Sequence, residues 1–363
     1  MTIKYSYEIL NYRNTEDKKK WLSIYHGLKI KDIFYHPDYA HLFEIHGDGE
    51  PLLFVYYQSP ADIVIYPILK RSINKLEYFS NLSDSLFDVS SPYGYGGYLR
   101  NNNLINMEIF YKCFHDYCLR SNIVSEFVRF HPIINNITYA PKSVELVKYN
   151  QTVIIELNKS ENEILSDMNP TCRNKIRKAI KNNVIIKNDY DFNKLETFIH
   201  NYFETMERLG AIDYYYFDVQ WFYKLIEILQ NNVCLFHAWI DDKIVASSIF
   251  IEQKPYIHYF LTGATLESRK IGANNLLIYE VALWAKKRGF LFFHLGGGYH
   301  PEDTLYKFKS SFSKEKCDFY IGKKVHMQEY YDHLCKIRFE GRTVRNNVIY
   351  FPLYRIPDKY LVI

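Results

Sequence analysis

The residues with the clearest chemical potential follow an apolar segment that ends in a run of glycines. Gly296, Gly297 and Gly298 come directly after residues 291–295, and a basic, aromatic segment that leads to Lys309 follows them. Residues without a Cβ let other groups approach the backbone closely, and their amides can turn toward an anion. Backbone donors and a lysine together suit a phosphate or a developing oxyanion. The alternative is a strand-to-helix loop whose glycines only satisfy turn geometry.

The composition describes a globular chain of moderate charge. Its 363 residues are 48% hydrophobic and 17% aromatic. Such a chain can bury a large core, exceeds what one core usually organises, and lacks the signature of disorder. The formal net charge is +4, from 45 basic and 41 acidic residues. Because this excess is small, DNA is not an expected partner.

Targeting and metal-binding patterns are not evident in the sequence. The first residues contain no apolar signal-peptide core, and no apolar run reaches the roughly 18 residues of a membrane span. We therefore predict a cytoplasmic protein. The six cysteines include no Cys-x-x-Cys pair and no Cys/His spacing that suits zinc, so we predict no metal site.

The second half of the chain has the clearer periodicity. An alternating pattern predicts a strand at 151–157, and a helical pattern at 161–182 is interrupted at Asn169-Pro170, where proline can start a new helix. The remaining predicted elements are helices at 191–209 and 219–230, strands at 233–240, 244–252 and 256–262, a helix at 274–288, and a strand at 290–295. The strand at 290–295 leads into the glycines.

The first half repeats this order less distinctly. It shows strand patterns at 52–58, 63–70 and 75–80, a helix at 104–119, and a strand at 124–130. The chain is thus predicted to contain two similar units, inferred from the order of elements because no residue-level repeat is visible. We place an N-terminal unit at 1–145, a C-terminal unit that carries the donor site at 146–345, and a C-terminal extension at 346–363.

Four segments give the chain a specific resemblance. They are residues 88–97, residues 126–132, residues 173–179, and the glycine run through Phe308-Lys309. With these segments the chain resembles a FemAB-like member of the GNAT superfamily, which includes peptidoglycan-bridge aminoacyltransferases and shorter acetyltransferase-like relatives. The resemblance implies an α/β (α+β) fold of two tandem GNAT-like units, each a mixed, mostly antiparallel sheet flanked by helices. It also implies acyl transfer to an amine by direct attack in a ternary complex.

The resemblance assigns catalytic roles to residues near the glycine run. The family's Phe-Lys motif falls on Lys309, which is expected to contact the acyl donor and the developing oxyanion. The alternative is a solvated lysine on a basic helix edge shared with Lys307 and Lys314. His300 and Asp303 are candidates for the general base, as are Glu267 and Asp213, and a water relay would let the base lie away from the amine.

The donor site is expected where a strand meets the next helix. Arg269, Gly272, Ala273 and Asn274 occupy the place where GNAT enzymes bind the pyrophosphate of coenzyme A, and the glycine run 296–298 is assigned to the same ligand. Asn274 departs from the usual Gly/Ala at the last position of this pattern. The alternative is a helix start in which Asn274 or Asn275 is the capping residue.

Acceptor binding is assigned to two regions. The Tyr- and Gly-rich loop 91–98, with Tyr93, Tyr95 and Gly96, can pack on a sugar or peptide and is expected, with Arg129 and His131, in a cleft between the units. Arg173 and Arg177 are one helical turn apart and could face a common phosphate. The alternatives are a structural turn with stacked aromatic rings and a solvated helix face.

Three functions remain at this stage. The leading one is an acetyl-CoA or other acyl-CoA dependent N-acyltransferase with no tightly bound cofactor, acting on an amino sugar or another cell-envelope or polysaccharide precursor. The alternative is an aminoacyltransferase that uses aminoacyl-tRNA to extend a peptidoglycan precursor. A non-catalytic module that binds a glycan or peptide is the third. The expected partners are a small-molecule, lipid-linked or nucleotide-linked glycan and, for the alternative, a tRNA; peripheral association with the inner face of the membrane stays open.

Overall fold

A computed structural model describes residues 6–298, 303–345 and 348–362. The chain divides into two compact units. Unit 1 comprises Met1–Tyr149 and Phe319–Ile363, and unit 2 comprises Asn150–Asp318. Unit 1 is therefore built from both ends of the chain, whereas unit 2 is continuous.

The N-terminal part of unit 1 contains most of its strands. In chain order its elements are β1 (Ser6–Asn11), α1 (Thr15–Gly27), α2 (Pro37–Ile45), β2 (Glu50–Tyr57), β3 (Ile63–Ser72), β4 (Phe87–Ser90), β5 (Leu99–Arg100), α3 (Met107–Arg120) and β6 (Ile123–Arg129).

The rest of the chain begins with a strand that runs from unit 1 into unit 2. Its elements are β7 (Glu145–Glu156), α4 (Glu161–Asp167), α5 (Pro170–Lys181), β8 (Ile185–Asn188), α6 (Leu195–Leu209), α7 (Val219–Leu229), β9 (Val233–Ile240), β10 (Lys243–Gln253), β11 (Tyr256–Ala264), α8 (Leu266–Ile271), α9 (Ala273–Lys287), β12 (Phe292–Gly296), α10 (Thr304–Ser310), β13 (Lys316–Val325), α11 (Gln328–Phe339), β14 (Thr343–Val344) and β15 (Leu361–Val362).

The sheet of unit 1 is mixed and mostly antiparallel. The strands β1, β2, β3 and β4 pair antiparallel in sequence order, and β5 pairs with β3. The strand β4 pairs parallel with β6, and β6 pairs antiparallel with β13. Rings from β2, β3 and α3 fill the main core, in which Phe54 and Phe114 lie 5.1 Å apart. Such aromatic pairs add to the stabilisation that comes from area burial.

Unit 2 repeats this pattern of pairing. The strands β8, β9, β10 and β11 pair antiparallel in order. The strand β11 then pairs parallel with β12, and β12 pairs antiparallel with β7. Apolar residues of α5 and α9, which include Ile176, Ala273 and Leu277, pack in the core with strand residues such as Phe250. The predicted fold class, two tandem units each with a mixed and mostly antiparallel sheet flanked by helices, is confirmed.

Local sequence signals explain where the helices before the site begin. Ser160 and Glu163 form a reciprocal capping box at the start of α4. Asn169 then caps α5, and Pro170 occupies its first turn, where a missing amide does no harm. The predicted interruption at Asn169-Pro170 is therefore present. The chain therefore forms two separate helices, α4 and α5, and Lys175 of α5 lies against Gly272 at the start of α9.

One predicted strand is wrong. Residues 75–80 form a turn with a short helical segment at Glu77–Phe79, and the strand that follows β3 is β4. The side chain of Asn74 organises this region, because it donates to the Asp84 carbonyl and accepts from the Leu86 amide. Phe79 is buried in a small core with Tyr354. The alternation that suggested a strand therefore reflects a turn that buries one aromatic ring.

The predicted unit boundaries differ from the observed division at the C-terminal side. The prediction placed residues 146–345 in the second unit, but unit 2 ends at Asp318. The reason is strand pairing, since Ile321–Val325 pair with β6 of unit 1. Tyr331 and Leu334 of α11 pack in the same small core as Phe79. Residues 346–363, predicted as an extension, also belong to unit 1.

Within residues 6–298, 303–345 and 348–362, no helix is both long enough and apolar enough to cross a lipid bilayer.

Candidate active site

The site in unit 2 begins where two parallel strands separate. The strands β11 and β12 pair from Tyr256 and Phe292 to His258 and His294. After His294 the register of β12 with β7 shifts at a bulge, and Gly296 pairs with Val153. Bulges bend a strand and re-aim the groups that follow it. The chain of β12 is thus directed toward β7 while β11 continues to Ala264, and the glycine loop lies at this divergence.

Each of the two glycines after β12 makes room for a neighbouring group. A Cβ on Gly297 would lie 2.7 Å from the Gln151 carbonyl oxygen, and a Cβ on Gly298 would overlap the carboxylate of Asp303. Asn150 donates from Nδ2 to the Gly298 carbonyl at 3.0 Å. The glycines are therefore required for close approach, as the sequence indicated, but the approaching groups belong to the protein itself.

Lys309 reaches this loop from α10. Its Nζ donates to the Gly297 carbonyl at 2.8 Å and lies 5.9 Å from the centre of the Tyr259 ring on β11. Burial lowers the pKa of Lys309 to about 8, and the nearby Asp303 carboxylate opposes that shift. A half-buried ammonium at the divergence of β11 and β12 can stabilise negative charge on a carbonyl oxygen placed there.

Asp303 fixes the start of the helix that carries Lys309. It is the N-cap of α10, and its Oδ1 accepts from the Tyr306 amide at 2.6 Å. Tyr306 in turn donates its hydroxyl to Gln151 Oε1, and Gln151 Nε2 donates to Asp318. The sequence interpretation missed Asn150, Gln151, Tyr306 and Tyr259. Only Tyr306 carried a signal, because it stands three residues after an N-cap aspartate.

The expected coenzyme A loop is constrained by α5. Gly272 has φ +82°, and a Cβ there would lie 2.6 Å from the Lys175 carbonyl oxygen. Ala273 is fully buried, and Oδ1 of Asn274 is buried with no hydrogen-bond partner among the described residues. Arg269 is exposed, and its carbonyl accepts from Lys175 Nζ. Close packing of α5 against the start of α9 therefore explains Gly272 and Ala273 without a ligand.

The end of β11 is also occupied by protein groups. Thr205 on α6 accepts from the Ala264 amide and donates to the Ala264 carbonyl. Arg208 donates to the same carbonyl at 2.8 Å, and a Cβ on Gly263 would overlap the backbone of Tyr202. The helix α6 thus covers β11 at Gly263 and Ala264. Residues Tyr259 to Thr262 of β11 therefore lie between the part of β11 that pairs with β12 and the part that α6 covers.

The predicted base candidates lie in different places. Asp303 is brought to Lys309, as described above. Glu267 is exposed in the first turn of α8, and Asp213 is exposed in the segment Asp213–Tyr215. His300 lies outside the described residues. Asp303 is therefore the candidate base that the structure brings to the glycine loop.

The predicted acceptor loop of unit 1 is held by its own neighbours. Tyr39 donates its hydroxyl to the Tyr93 carbonyl, and Tyr35 donates to the Gly96 carbonyl at 2.7 Å. The ring of Tyr95 meets that of Phe319 edge-on, with 5.2 Å between the ring centres. These contacts give the loop the fixed geometry of a structural turn.

His131 and Arg129 follow β6. Nδ1 of His131 accepts from the Ile134 amide, so Nε2 carries the proton and donates to Asp32 at 2.8 Å. The Arg129 guanidinium lies 4.8 Å from the centre of the Phe127 ring. His131 therefore fixes the loop that follows β6, and Arg129 contributes a cation to the same face of unit 1 as the loop.

Arg173 and Arg177, predicted to face a common phosphate, make different contacts. Arg173 donates to the main-chain carbonyls of Ser166 and Met168, where α4 ends. Arg177 is exposed and donates to Asn174. Arg173 therefore supports the corner between α4 and α5, and the shared phosphate site stays a prediction.

Comparison with known proteins supports the class suggested by this geometry. Residues 167–310 match the family model of the acetyltransferase (GNAT) domain. No curated protein matches the sequence significantly. Among solved structures, FemX is 11% identical with a TM-score of 0.63, over 87% of this chain and 98% of FemX.

Two further solved structures share the fold. One is the C-terminal domain of a protein assigned as a lysylphosphatidylglycerol synthetase from Agrobacterium fabrum, 10% identical with a TM-score of 0.52 over 88% of this chain and 97% of that one. The other is L-PGS from Bacillus licheniformis, 12% identical with a TM-score of 0.50 over 86% of this chain and 92% of that one. At these identities the likeness is one of fold.

The family match and the fold define the class of protein. Residues 167–310 match the acetyltransferase (GNAT) domain, which supports the predicted acyltransferase. The chain as a whole shares the fold of FemX, which agrees with the FemAB-like resemblance of its motifs.

Proposed function

We propose that unit 2 transfers an acyl group to an amine, with the acyl carbonyl held between the diverging ends of β11 and β12. The observation that carries this proposal is the position of Lys309. Its Nζ is fixed at 2.8 Å from the Gly297 carbonyl beside the Tyr259 ring. A cation held by the protein needs little reorganisation when negative charge develops on the substrate, which is the condition for electrostatic stabilisation.

The reaction follows from this placement. The amine nitrogen attacks the carbonyl carbon of a thioester, and a C–N bond forms while the carbonyl oxygen becomes an oxyanion beside Lys309. The C–S bond then breaks and the sulfur leaves as a thiolate. Asp303 accepts the proton of the amine through water. Holding both substrates in one site supplies much of the rate enhancement in such direct transfers.

The donor in this proposal is acetyl-CoA or another acyl-CoA, because the GNAT domain family generally uses acyl-CoA as co-substrate. The acceptor is the amino group of an amino sugar or another cell-envelope precursor. A lipid-linked acceptor is supported by the similarity of fold to the lysylphosphatidylglycerol synthetase. The location of this chemistry in the cytoplasm is part of the proposal.

A transfer assay tests the function. Purified protein is incubated with acetyl-CoA and a panel of amino sugars and nucleotide-linked amino sugars, and acylated products are detected by mass spectrometry. We expect acylation of at least one amine by the wild type and by Lys307→Ala, since Lys307 is exposed on the same helix. Product that forms equally fast with Lys309→Ala would contradict the assigned site.

A second donor is favoured by one observation, the packing of α5 on the start of α9. Gly272 and Ala273, where a coenzyme A pyrophosphate would bind, are buried, and the Oδ1 acceptor of Asn274 has no partner. An unpaired acceptor disfavours a phosphate beside it. Lysines on α5 and Arg269 on α8 are exposed instead. These features suit an aminoacyl-tRNA donor, whose acyl ester needs no pyrophosphate loop.

The two donors are separated by competition. Aminoacyl-tRNA charged with a radiolabelled amino acid is incubated with the protein and a peptidoglycan precursor, with and without a large excess of coenzyme A. Label in the precursor that resists coenzyme A would support the tRNA donor. Acetyl transfer from acetyl-CoA in parallel reactions, with no label transferred, would support the leading proposal.

A further inference from the structure

Unit 1 contains a cationic cluster that the acyl-transfer chemistry does not use. Asp88 on β4 is 0% exposed and lies between two arginines. Its Oδ1 accepts from Arg71 Nε at 2.6 Å, and its Oδ2 accepts from Arg355 Nε at 2.5 Å. Arg71 belongs to β3 and Arg355 to the C-terminal segment. A fully buried carboxylate with two guanidinium groups leaves a net positive charge.

The hydrogen bonds of the two arginines are incomplete. Each guanidinium uses its Nε on Asp88, and Nη2 of Arg355 donates to the Ser72 carbonyl. Nη2 of Arg71 is buried and has no hydrogen-bond partner among the described residues. Burying a charged donor without a partner is unfavourable. An acceptor brought to this atom would remove that penalty.

The two arginine side chains of the cluster are only partly buried. The side chains of Arg71 and Arg355 are 24% and 14% exposed, so both reach solvent from beside the buried Asp88. The ring of Tyr350 is near them. Burial raises the pKa of Tyr350, and Arg71, Arg355 and Arg129 act against that shift, so its hydroxyl lies within electrostatic reach of all three.

Other charges near the cluster do not cancel the excess. Burial would raise the pKa of Asp88, but Arg355 and Arg71 outweigh it and hold that pKa below its usual range. The carboxylate of Asp48 also acts on Arg71, but less strongly than Asp88 does. Arg71 and Arg355 act directly on Asp88, and Arg129 adds a further positive charge near Tyr350, so the arginines outnumber the carboxylates at this place. Guanidinium groups match the oxygens of phosphates in a forked geometry.

We propose that Arg71 and Arg355, which both donate to Asp88, form a phosphate-binding site in unit 1, with Arg129 and the hydroxyl of Tyr350 at its edge. Its ligand is a phosphate group on a small molecule. A phosphate offers three oxygens and up to two negative charges, which suit the unpaired donor and the excess of arginines better than a single carboxylate does. This site lies in unit 1 and does not rest on the function proposed for unit 2.

The test is calorimetric titration of the full chain with pyrophosphate and, in parallel, with acetate at constant ionic strength. We expect saturable binding of pyrophosphate and weaker or no binding of acetate. Arg71→Gln should weaken pyrophosphate binding by about tenfold or more, because it removes a charged donor. The matched control is Arg338→Gln, since Arg338 is buried and holds the same C-terminal segment through the Ile356 carbonyl. This control should bind pyrophosphate within about twofold of the wild type.

Three results would overturn the proposal. They are no saturable binding of pyrophosphate by the wild type, equal binding of acetate, and equal weakening by Arg338→Gln, which would indicate a purely structural role. If Arg71→Gln does not fold, Arg71→Lys replaces it, because lysine keeps the charge beside Asp88 but lacks the fork. Folded Arg71→Lys with unchanged affinity would also count against the site.

Discussion

At the scale of single residues, Lys309 carries the account. Its ammonium is fixed by one main-chain carbonyl, and in the proposed reaction it stabilises the charge that develops on the acyl oxygen. We predict that Lys309→Ala lowers kcat by roughly 100- to 1000-fold with a smaller change in KM, because the lost interaction belongs to the transition state. Steady-state kinetics of the acyl transfer measure both constants. The control, Lys307→Ala, should be within about twofold of the wild type.

The pKa of Lys309 gives a second prediction. Because burial lowers this pKa to about 8, the cation that stabilises the oxyanion is lost as the pH rises through that value. The profile of kcat should therefore fall above a pH of about 8. Lys309→Arg, which stays charged in this range, should keep a low activity without that fall. An unchanged alkaline fall in the arginine variant would assign the titration to another group.

Asp303 offers an independent check on the same titration. Its carboxylate raises the pKa of Lys309 against the effect of burial. Asp303→Asn keeps a side chain able to cap α10 but removes both the negative charge and the proposed base. The maximal kcat should therefore fall, and the alkaline fall of kcat should move to lower pH. The pH profile of this variant, normalised to its own maximum, is the measurement. A shift to higher pH would contradict the proximity of the two groups.

The sequence could indicate that Lys309 belongs with the glycine run, but it could not indicate the residues that support both. The glycine run and the Phe-Lys motif are contiguous in the chain, so pattern reading located them. Gln151 and Tyr306 come together only through the antiparallel pairing of β12 with β7 and the cap of α10. The glycines were interpreted as free donors, whereas the structure uses Gly298 to make room for Asp303. Such contacts across elements leave no local pattern.

At the scale of elements, α5 packs closely against the start of α9, where the coenzyme A loop was predicted. Gly272 and Gly210 both end a helix with positive φ, but only Gly272 has backbone atoms of another helix where its Cβ would be. We predict that Gly210→Ala destabilises by roughly 1 kcal/mol, from φ alone. Gly272→Ala should add roughly 1–3 kcal/mol from overpacking. Urea unfolding of the two variants gives the difference, and equal destabilisation would mean that α5 does not pack there.

Element prediction succeeded where periodicity and turn signals agreed. The meander of β9, β10 and β11 was located because each strand is apolar and short turns separate them. It failed at residues 75–80, where a side-chain hydrogen bond of Asn74 decides the backbone path. Whether α5 covers the start of α9 depends on packing geometry, and no motif in either helix encodes that outcome.

At the scale of the whole molecule, the discontinuity of unit 1 has a measurable consequence. Tyr354 is fully buried with Phe79, Leu86 and Val124, and its hydroxyl contacts Asp88 and Ser125. We predict that Tyr354→Ala destabilises unit 1 by roughly 3–5 kcal/mol through the cavity. Hydrogen exchange should quicken in β3, β4 and β6, which precede it by more than two hundred residues, while unit 2 stays protected.

The control for that experiment is Tyr354→Phe, which keeps the ring and removes only the hydroxyl. It should destabilise by roughly 1 kcal/mol for each lost hydrogen bond. Faster exchange confined to unit 2 would contradict the assignment of residues 319–363 to unit 1. This assignment could not be derived from sequence, because no local pattern in β13 shows that it pairs with β6, which lies almost two hundred residues earlier in the chain.

The central claim, acyl transfer from an acyl-CoA held between β11 and β12, is tested most directly by calorimetric titration of the wild-type chain with acetyl-CoA. The account predicts saturable binding with a dissociation constant in the micromolar range, roughly −7 to −8 kcal/mol. Absence of binding at millimolar acetyl-CoA would contradict the acyl-CoA donor and leave aminoacyl-tRNA as the donor that the covered start of α9 favours.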